Sequence, residues 1–487
     1  MSDRKKERKN IVGNSMMSWS LALCQALFTT FLTFYITEYL CVDQKSYGMI
    51  LIISILPVLK IVDACTDMVQ GWIMDHMVCR GRFGYKFFCR LGIILMTISA
   101  LLMFTFTGFI EKKSALVVIL WVVVAYLLYD FGSSFYADSA MKQTLSTNTI
   151  QRMRYILYPR MFSLMALFPL VFMFQYSEEH MGQFHGRSGA LGIYLGAFIL
   201  VSMIVSLFGT SMVEEQPVLK QTLRVSTLHP LDILRMIKQN KPLAVYQFTM
   251  FFSGFVYVIA IVLAGYYVKW NYSVNELTGL VDNGKFAHMS MILGIVELVP
   301  YIFGALIAGT LHKRFHTQKL MLASILIMIF MGGVILTLQL SGVLTYNSDL
   351  FYAMYAFLML GCGLTYVPSN LLAMECMDYA MWKTGKPLNA VIQTISNLVS
   401  KIQSFFSTAL IGLLLGLMEY GIESDGDAVP GNMSQVVGLF VIVVGLVVII
   451  FGTISFLIFR DYPVNQEIRE RMTLDLQKRK IQPEQKC

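Results

Sequence analysis

Residues 47–74 read YGMILIISILPVLKIVDACTDMVQGWIM. The stretch is apolar over more than the roughly 20 residues that a helix needs to cross a bilayer, yet it carries Lys60, Asp63 and Asp67. Charges at lipid depth are costly and as a rule face a cavity or a partner. Asp63 and Asp67 stand four positions apart, so a helix places them on one face, with Lys60 one turn before Asp63 on the same face. Two carboxylates so close repel each other unless a cation or a proton sits between them. With the Thr66 hydroxyl beside them they offer hard oxygen ligands to a small coupling ion. The other reading is a structural Lys60–Asp63 ion pair, which leaves one acid unneutralised.

The rest of the chain repeats the apolar pattern. Of 487 residues, 56% are hydrophobic and only 14% charged, against roughly 25% charged in a soluble globular protein, and the mean hydropathy is +0.62. Such a chain has too little polar surface to coat soluble domains. Twelve stretches are long enough to span: 13–40, 47–74, 87–110, 115–137, 156–175, 190–212, 243–268, 287–311, 318–341, 349–376, 390–418 and 435–459. They are called spans one to twelve below.

Lys and Arg fall in alternate segments. Arg4 to Lys9, Arg80 to Lys86, Lys142 to Arg154, Lys220 to Lys241, Lys313 and Arg314, Lys383 and Lys386, and the tail from Arg460 to Lys486 are basic; the intervening loops are poorer in bases, and the last holds Glu419, Glu423, Asp425 and Asp427. By the positive-inside rule both termini are expected in the cytoplasm. An all-α membrane protein of two six-helix bundles follows: 1–212, a cytoplasmic middle loop 213–242, a second bundle 243–459 and a cytoplasmic tail 460–487. A weak internal repeat supports it, since Tyr129 and Asp138 align with Tyr366 and Glu375 at one offset. Parallel repeats of this kind imply two bundles rocking about a midplane cavity.

Other polar residues lie inside spans. Asp130, with Tyr126 one turn earlier, falls in span four, and Glu297 near the middle of span eight. Gln393, Asn397, Lys401 and Ser404 form a stripe along span eleven, placing a lysine where it can meet an acid or a substrate. Gly192-x3-Gly196 and Gly412-x3-Gly416 read as close-packing positions. The net charge of +8 is scattered over short loops and suits membrane orientation rather than nucleic acid. The eight Cys show no paired spacing, so neither a disulfide framework nor a zinc site is expected. Asn271-Tyr-Ser and Asn432-Met-Ser matter only in a glycosylating host. The basic start leads into a full-length span and reads as a first membrane helix, not a cleaved signal. There is no Walker A motif, and no haem or nucleophile constellation, so no cofactor and no enzyme activity is expected.

Four places in the sequence carry a family resemblance. Asp63-Ala-Cys-Thr-Asp67-x3-Gly71-Trp72-Ile-x-Asp75, followed by Arg80-Gly-Arg82-x-Gly-x-Lys86, is similar to the D-A-x-x-D-x3-G-x-x-x-D…R-x-G-x-x-K signature of the glycoside–pentoside–hexuronide:cation symporters, the melibiose permease-like branch of the major facilitator superfamily. Asp130 falls where that family has a span-four carboxylate. Arg152-x-Arg154 and Tyr158-Pro159-Arg160 resemble its lead into span five. Asp378-Tyr379-x-x-Trp382-Lys383-Thr384-Gly385-Lys386 resembles its D-Y-x-E-W-K-T-G-x-R loop.

The resemblance implies symport of a sugar or glycoside with Na+, Li+ or H+ across the cell (inner) membrane. It places the cation on Asp63, Thr66 and Asp67, the two acids being the metal ligands if the ion is Na+. It places the substrate on Asp130, Arg160 and Lys401; Tyr126 beside Asp130 and Asn397 beside Lys401, read from their positions in the spans, are further substrate candidates, and Lys60, Glu297, Asp75 and Arg82 are candidates for coupling or gating. Lys60 stands where the family has an arginine. Ala22 replaces a span-one sugar-binding carboxylate, with Gln25 the nearest polar residue, and Ser134 replaces a stacking Trp; Ala380-Met381 and Pro387 also depart from the pattern. Two further readings keep the fold: a transporter of a lysolipid or other amphiphile, which the lost carboxylate and Trp favour, and a non-transporting sensor, which retention of Asp63, Asp67, Asp130 and Lys401 disfavours.

Overall fold

The computed structural model describes residues 3–40, 54–60, 62, 66, 70, 73–74, 77, 83–106, 114–136, 141, 145, 149–184, 186–214, 240–275, 281–312, 314–384, 389–417 and 433–481. Nearly all of them are helical, as lipid requires: without water to satisfy them, backbone N–H and C=O groups must pair within the segment. Among the described residues eleven helices are long and apolar enough to cross a membrane. The twelfth expected crossing, span two, lies largely outside the described residues.

Several spans depart from a plain α-helix, each with a local cause. Span one runs Asp3–Ala26 and passes through a π turn, Leu27–Phe31, where the Thr29 hydroxyl donates to the Gln25 carbonyl at 2.7 Å. A side chain competing for a helix carbonyl commonly loosens the ladder in this way. Span five, read from the sequence as one stretch over 156–175, is broken: Thr149–Leu164 gives way to a 3-10 turn, Met165–Leu167, then to Phe168–Val171 and Met173–His180. Pro169 accounts for the break: it has no N–H to donate and stands in the first turn of the next helix, where none is needed. Span ten is longer than expected, Ser348–Thr384, so residues 378–384 of the motif expected in a loop form its last helical turns. The tail contains a further helix, Gln466–Ile481.

The chain divides into two compact units: Met1–Ser226, Ile261–Leu298 and Ser404–Val441 make the first, and Thr227–Ala260, Val299–Gln403 and Ile442–Cys487 the second. In the first, span one packs on span six at Gly13 and Gly209, where a Cβ added to Gly209 lies 2.6 Å from the Gly13 carbonyl oxygen. Serines bind the same seam: the Ser206 hydroxyl donates to the Met16 carbonyl at 3.1 Å and accepts from the Ser20 N–H at 2.9 Å. Small residues and interhelical hydrogen bonds do this because lipid supplies no hydrophobic drive between helices. Gly192 and Gly196 behave likewise, meeting Phe104 and Thr105.

An aromatic cluster joins the far ends of several spans within this unit. Phe28 stacks on Tyr129 with centroids 4.2 Å apart. Phe34 meets Phe174, Tyr266 and Phe286 at 5.5, 5.4 and 5.9 Å, and the Thr37 and Tyr266 hydroxyls lie 3.1 Å apart.

In the second unit, spans eight and ten touch backbone to backbone at Gly304 and Gly363. A Cβ on Gly304 runs into the Leu360 carbonyl and lies 2.9 Å from the Leu364 nitrogen. Neither is the movable end of a side chain, so Gly304→Ala is expected to destabilise the protein by about 1–3 kcal/mol, the usual cost of overpacking. Thermal unfolding of the purified protein measures it, and an unchanged midpoint contradicts the packing argument.

Candidate substrate and coupling site

Asp63 and Asp67 lie outside the described residues, as do Asp75 and Arg82. Thr66, between the two acids in sequence, is described. It is half-buried, and its hydroxyl donates to Asp130 Oδ2 at 3.2 Å. Span four presents Asp130 to that bond and buries it to 1% exposure. Tyr126, 5% exposed and one turn earlier, has its ring 6.2 Å from those of both Phe28 and Tyr129, so one side of the carboxylate's helix is walled by aromatic carbon. Arg160 is half-buried in span five and Gln25 exposed on span one.

Lys60 is 7% exposed. Its ammonium donates to Ser404 Oγ at 2.7 Å, to the Ser404 carbonyl at 3.2 Å and to Thr408 Oγ1 at 2.5 Å. Three acceptors match the three N–H donors of a lysine. They come from one face of span eleven, 344 and 348 positions along the chain. Ser404 is thus the member of the span-eleven stripe that meets the charged face of span two. Thr408 was missed by the sequence reading, although it continues the stripe by one turn.

The remaining candidates divide between the units. Glu297 is half-buried within the first, whereas half-buried Lys401 and exposed Asn397 belong to the second. The sequence reading also passed over Asn14 and Gln70, amides in spans one and two that are 0% and 3% exposed; neither has a hydrogen-bond partner among the described residues. Their signal was an amide inside an apolar stretch, the same signal that singled out the acids.

At the end of span ten a second charged group meets the tail helix. Arg469 donates to Glu375 Oε2 from Nη2 at 2.6 Å and from Nε at 3.1 Å. Trp382 Nε1 donates to Asp475 Oδ2 at 3.0 Å, and Lys383 lies over the Trp382 ring, 4.6 Å from its centroid. Part of the family motif in span ten therefore serves to seat the tail.

A multi-pass helical bundle with carboxylates, a lysine and an arginine set into its spans is the architecture of a membrane transporter. The chain belongs to the family described as MFS/sugar transport protein, whose profile matches residues 13–466. That family consists of transporters, not enzymes. Solved structures share the fold at low identity. One is a partially occluded inward-open form of the xylose transporter XylE from E. coli, 12% identical, with TM-score 0.60 over 95% of this chain and 98% of that one. Another is the nucleoside transporter NupG, 16% identical, with TM-score 0.55 over 94% of this chain and 99% of that one.

Proposed function

We propose that the protein is a secondary active transporter that carries a sugar or glycoside together with Na+, Li+ or H+ by alternating access, in the cell membrane, with both termini cytoplasmic and one six-helix bundle on each side of the middle loop. One observation carries the reading: the 3.2 Å hydrogen bond from Thr66 to Asp130. It links the residue set between two acids one turn apart to a buried carboxylate on another span. An ion drawn to Asp63 and Asp67 then changes the field and the hydrogen bonding at Asp130, and the linkage is reciprocal, since two ligands that each alter the other's affinity do so by the same factor.

The chemistry suits hydroxylated cargo. A carboxylate accepts from sugar hydroxyls and a guanidinium donates to their oxygens in a fixed fork, and charge-assisted bonds of this kind are short and oriented. Asp130 and Arg160 take those parts. Lys60, held by span eleven, connects the ion-bearing helix to the second half of the sequence, so movement of either helix is felt by the other.

Uptake into proteoliposomes, with separate Na+ and H+ gradients and a panel of glycosides, tests the proposal. The wild type is expected to accumulate a glycoside under one gradient. Asp63→Asn and Asp67→Asn are expected to abolish accumulation while leaving counterflow exchange measurable. Full gradient-driven accumulation in Asp63→Asn removes the ion site, and uptake of a lysolipid instead of every glycoside replaces the cargo.

A further inference from the structure

Gln70 stands three positions after Asp67 and seven after Asp63, so the register of the sequence puts it on the face those acids share. It is helical, one turn beyond Thr66, and 3% exposed. Neither its Oε1 nor its Nε2 has a hydrogen-bond partner among the described residues. A side-chain amide carries two donors and an acceptor oxygen, and burying it unpaired is costly unless a water or an ion meets it. The next residue of the same stripe, Met74, is buried and apolar. The polar face of span two therefore runs from Lys60 to Gln70 and ends there.

A buried carbonyl oxygen in register with carboxylates fits a hard cation. Such ions take oxygen ligands, and Asn and Gln carbonyls serve beside Asp carboxylates in protein sites. Side chains on a helix lean toward its N-terminus, so a residue at 70 covers the turn that carries Thr66 and Asp67, not the turn beyond. A neutral oxygen attracts a cation without adding a third negative charge to two acids that already repel. An amide takes up no proton in the physiological range, so this oxygen helps to hold Na+ or Li+ and does nothing for H+. Asn14 is the contrast. It too is an amide inside a span, 0% exposed and without a hydrogen-bond partner among the described residues. It belongs to span one, next to the Gly13 contact with Gly209, and not to the helix that carries the acids.

We infer that Gln70 is a further ligand of the coupling cation, its Oε1 joining Asp63, Thr66 and Asp67 in a set of oxygens for Na+ or Li+ rather than H+. Because it is neutral, it holds the ion less firmly than a third acid does. That suits a carrier, in which binding must be favourable enough to load the ion and weak enough to release it. The inference rests on the symport reading above, and adds to it a fourth residue and the kind of ion.

Thermal unfolding of the full chain in nanodiscs tests it, with NaCl or LiCl titrated against choline chloride at constant ionic strength. A ligand of the folded state raises the midpoint by an amount set by its concentration over Kd, so Kd is read with no gradient and no glycoside present. The wild type is expected to be stabilised by Na+ or Li+. Gln70→Met keeps the length of the side chain and removes the oxygen, and its Kd is expected to rise about tenfold, equivalent to about 1.4 kcal/mol. Gln70→Glu returns an oxygen and is expected to bind the ion at least as tightly as the wild type. Asn14→Leu is expected to leave Kd unchanged. The midpoint in choline shows which variants fold. Should Gln70→Met not fold, Gln70→Asn, the same amide on a shorter arm, takes its place, with Kd again expected to rise several-fold. The inference is overturned if Na+ and Li+ leave the wild-type midpoint where choline does, or if folded Gln70→Met, or Gln70→Asn in its place, keeps the wild-type Kd, as it does where a buried water alone meets the amide. It is overturned equally if Gln70→Glu loses as much affinity as Gln70→Met, or if Asn14→Leu does. Failure of every gradient to drive uptake, with the ion still raising the midpoint and doing so less in Gln70→Met, is a failure of the transport reading and leaves this ligand in place.

Discussion

Asp130→Asn is expected to lower gradient-driven glycoside uptake about 100-fold, with the loss in KM as well as in maximal rate. The carboxylate is 1% exposed and accepts from Thr66 at 3.2 Å. Asparagine keeps the shape but replaces one acceptor oxygen by a donor and removes the charge. A hydrogen bond to a charged group contributes about 1.5–3 kcal/mol, more than a neutral one, and every 1.4 kcal/mol is tenfold in affinity. Two such bonds weakened to neutral strength account for the two decades. Thr66→Val removes the bridge and leaves Asp130 its charge. Its expected effect is smaller, about tenfold, and falls on the ion dependence of uptake rather than on exchange. Initial rates at varied glycoside and ion concentration distinguish the two. Asp130→Asn with a wild-type KM leaves the span-four carboxylate no part in substrate binding.

Arg469→Ala is expected to be the most destabilising of the substitutions considered, by about 2–3 kcal/mol. Removing one partner of a buried ion pair costs roughly 3–5 kcal/mol, because the remaining charge is left desolvated. The Glu375 side chain is 9% exposed but that of Arg469 is 27% exposed, so water partly replaces the guanidinium and the cost falls somewhat below that range. Glu375 Oε1 already lacks a hydrogen-bond partner among the described residues, which leaves the carboxylate dependent on the arginine's two bonds to Oε2. Glu375→Gln is expected to cost less than about 1 kcal/mol. The double variant is expected to cost less than the two single effects added, since either change alone already breaks the pair. Denaturant or thermal unfolding of the four proteins completes the cycle, and additive single effects contradict the pairing.

A pH signature accompanies the same change. Burial, and then the charge of Arg469, hold the His312 imidazole below its ordinary value. A base depressed on folding favours the unfolded chain when protonated, so this contribution to stability is present above about pH 6.5 and declines as the pH falls below it. Arg469→Ala removes the second cause and is expected to weaken that decline.

The placement of polar residues was legible unevenly. Asp130 and Lys60 stood out because a charge in an apolar stretch is conspicuous, and both are buried and hydrogen-bonded. Their partners were not legible. Thr66 and Ser404 were noted, one beside the span-two acids and one in the span-eleven stripe, but nothing in the sequence pairs them with Asp130 and Lys60, and Thr408 was missed. The motif at 378–386 was read as a loop because it resembles the family's loop beyond the apolar stretch, yet 378–384 continue the helix, and Trp382 there bonds the tail helix.

The helical nature of the crossings, and the position of the eleven found among the described residues, were written in the sequence, because a bilayer core makes each segment satisfy its own backbone, and about twenty apolar residues suffice to show it. Which face of each helix meets which neighbour was decided only by the tertiary structure. Helices in lipid are apolar on most sides, so the amphipathic stripe that betrays a soluble helix's buried face is missing. Their contacts depend instead on small residues and hydroxyls, such as Gly304 on the backbone of span ten or Ser404 on Lys60, whose meaning appears when the distant partner is brought alongside.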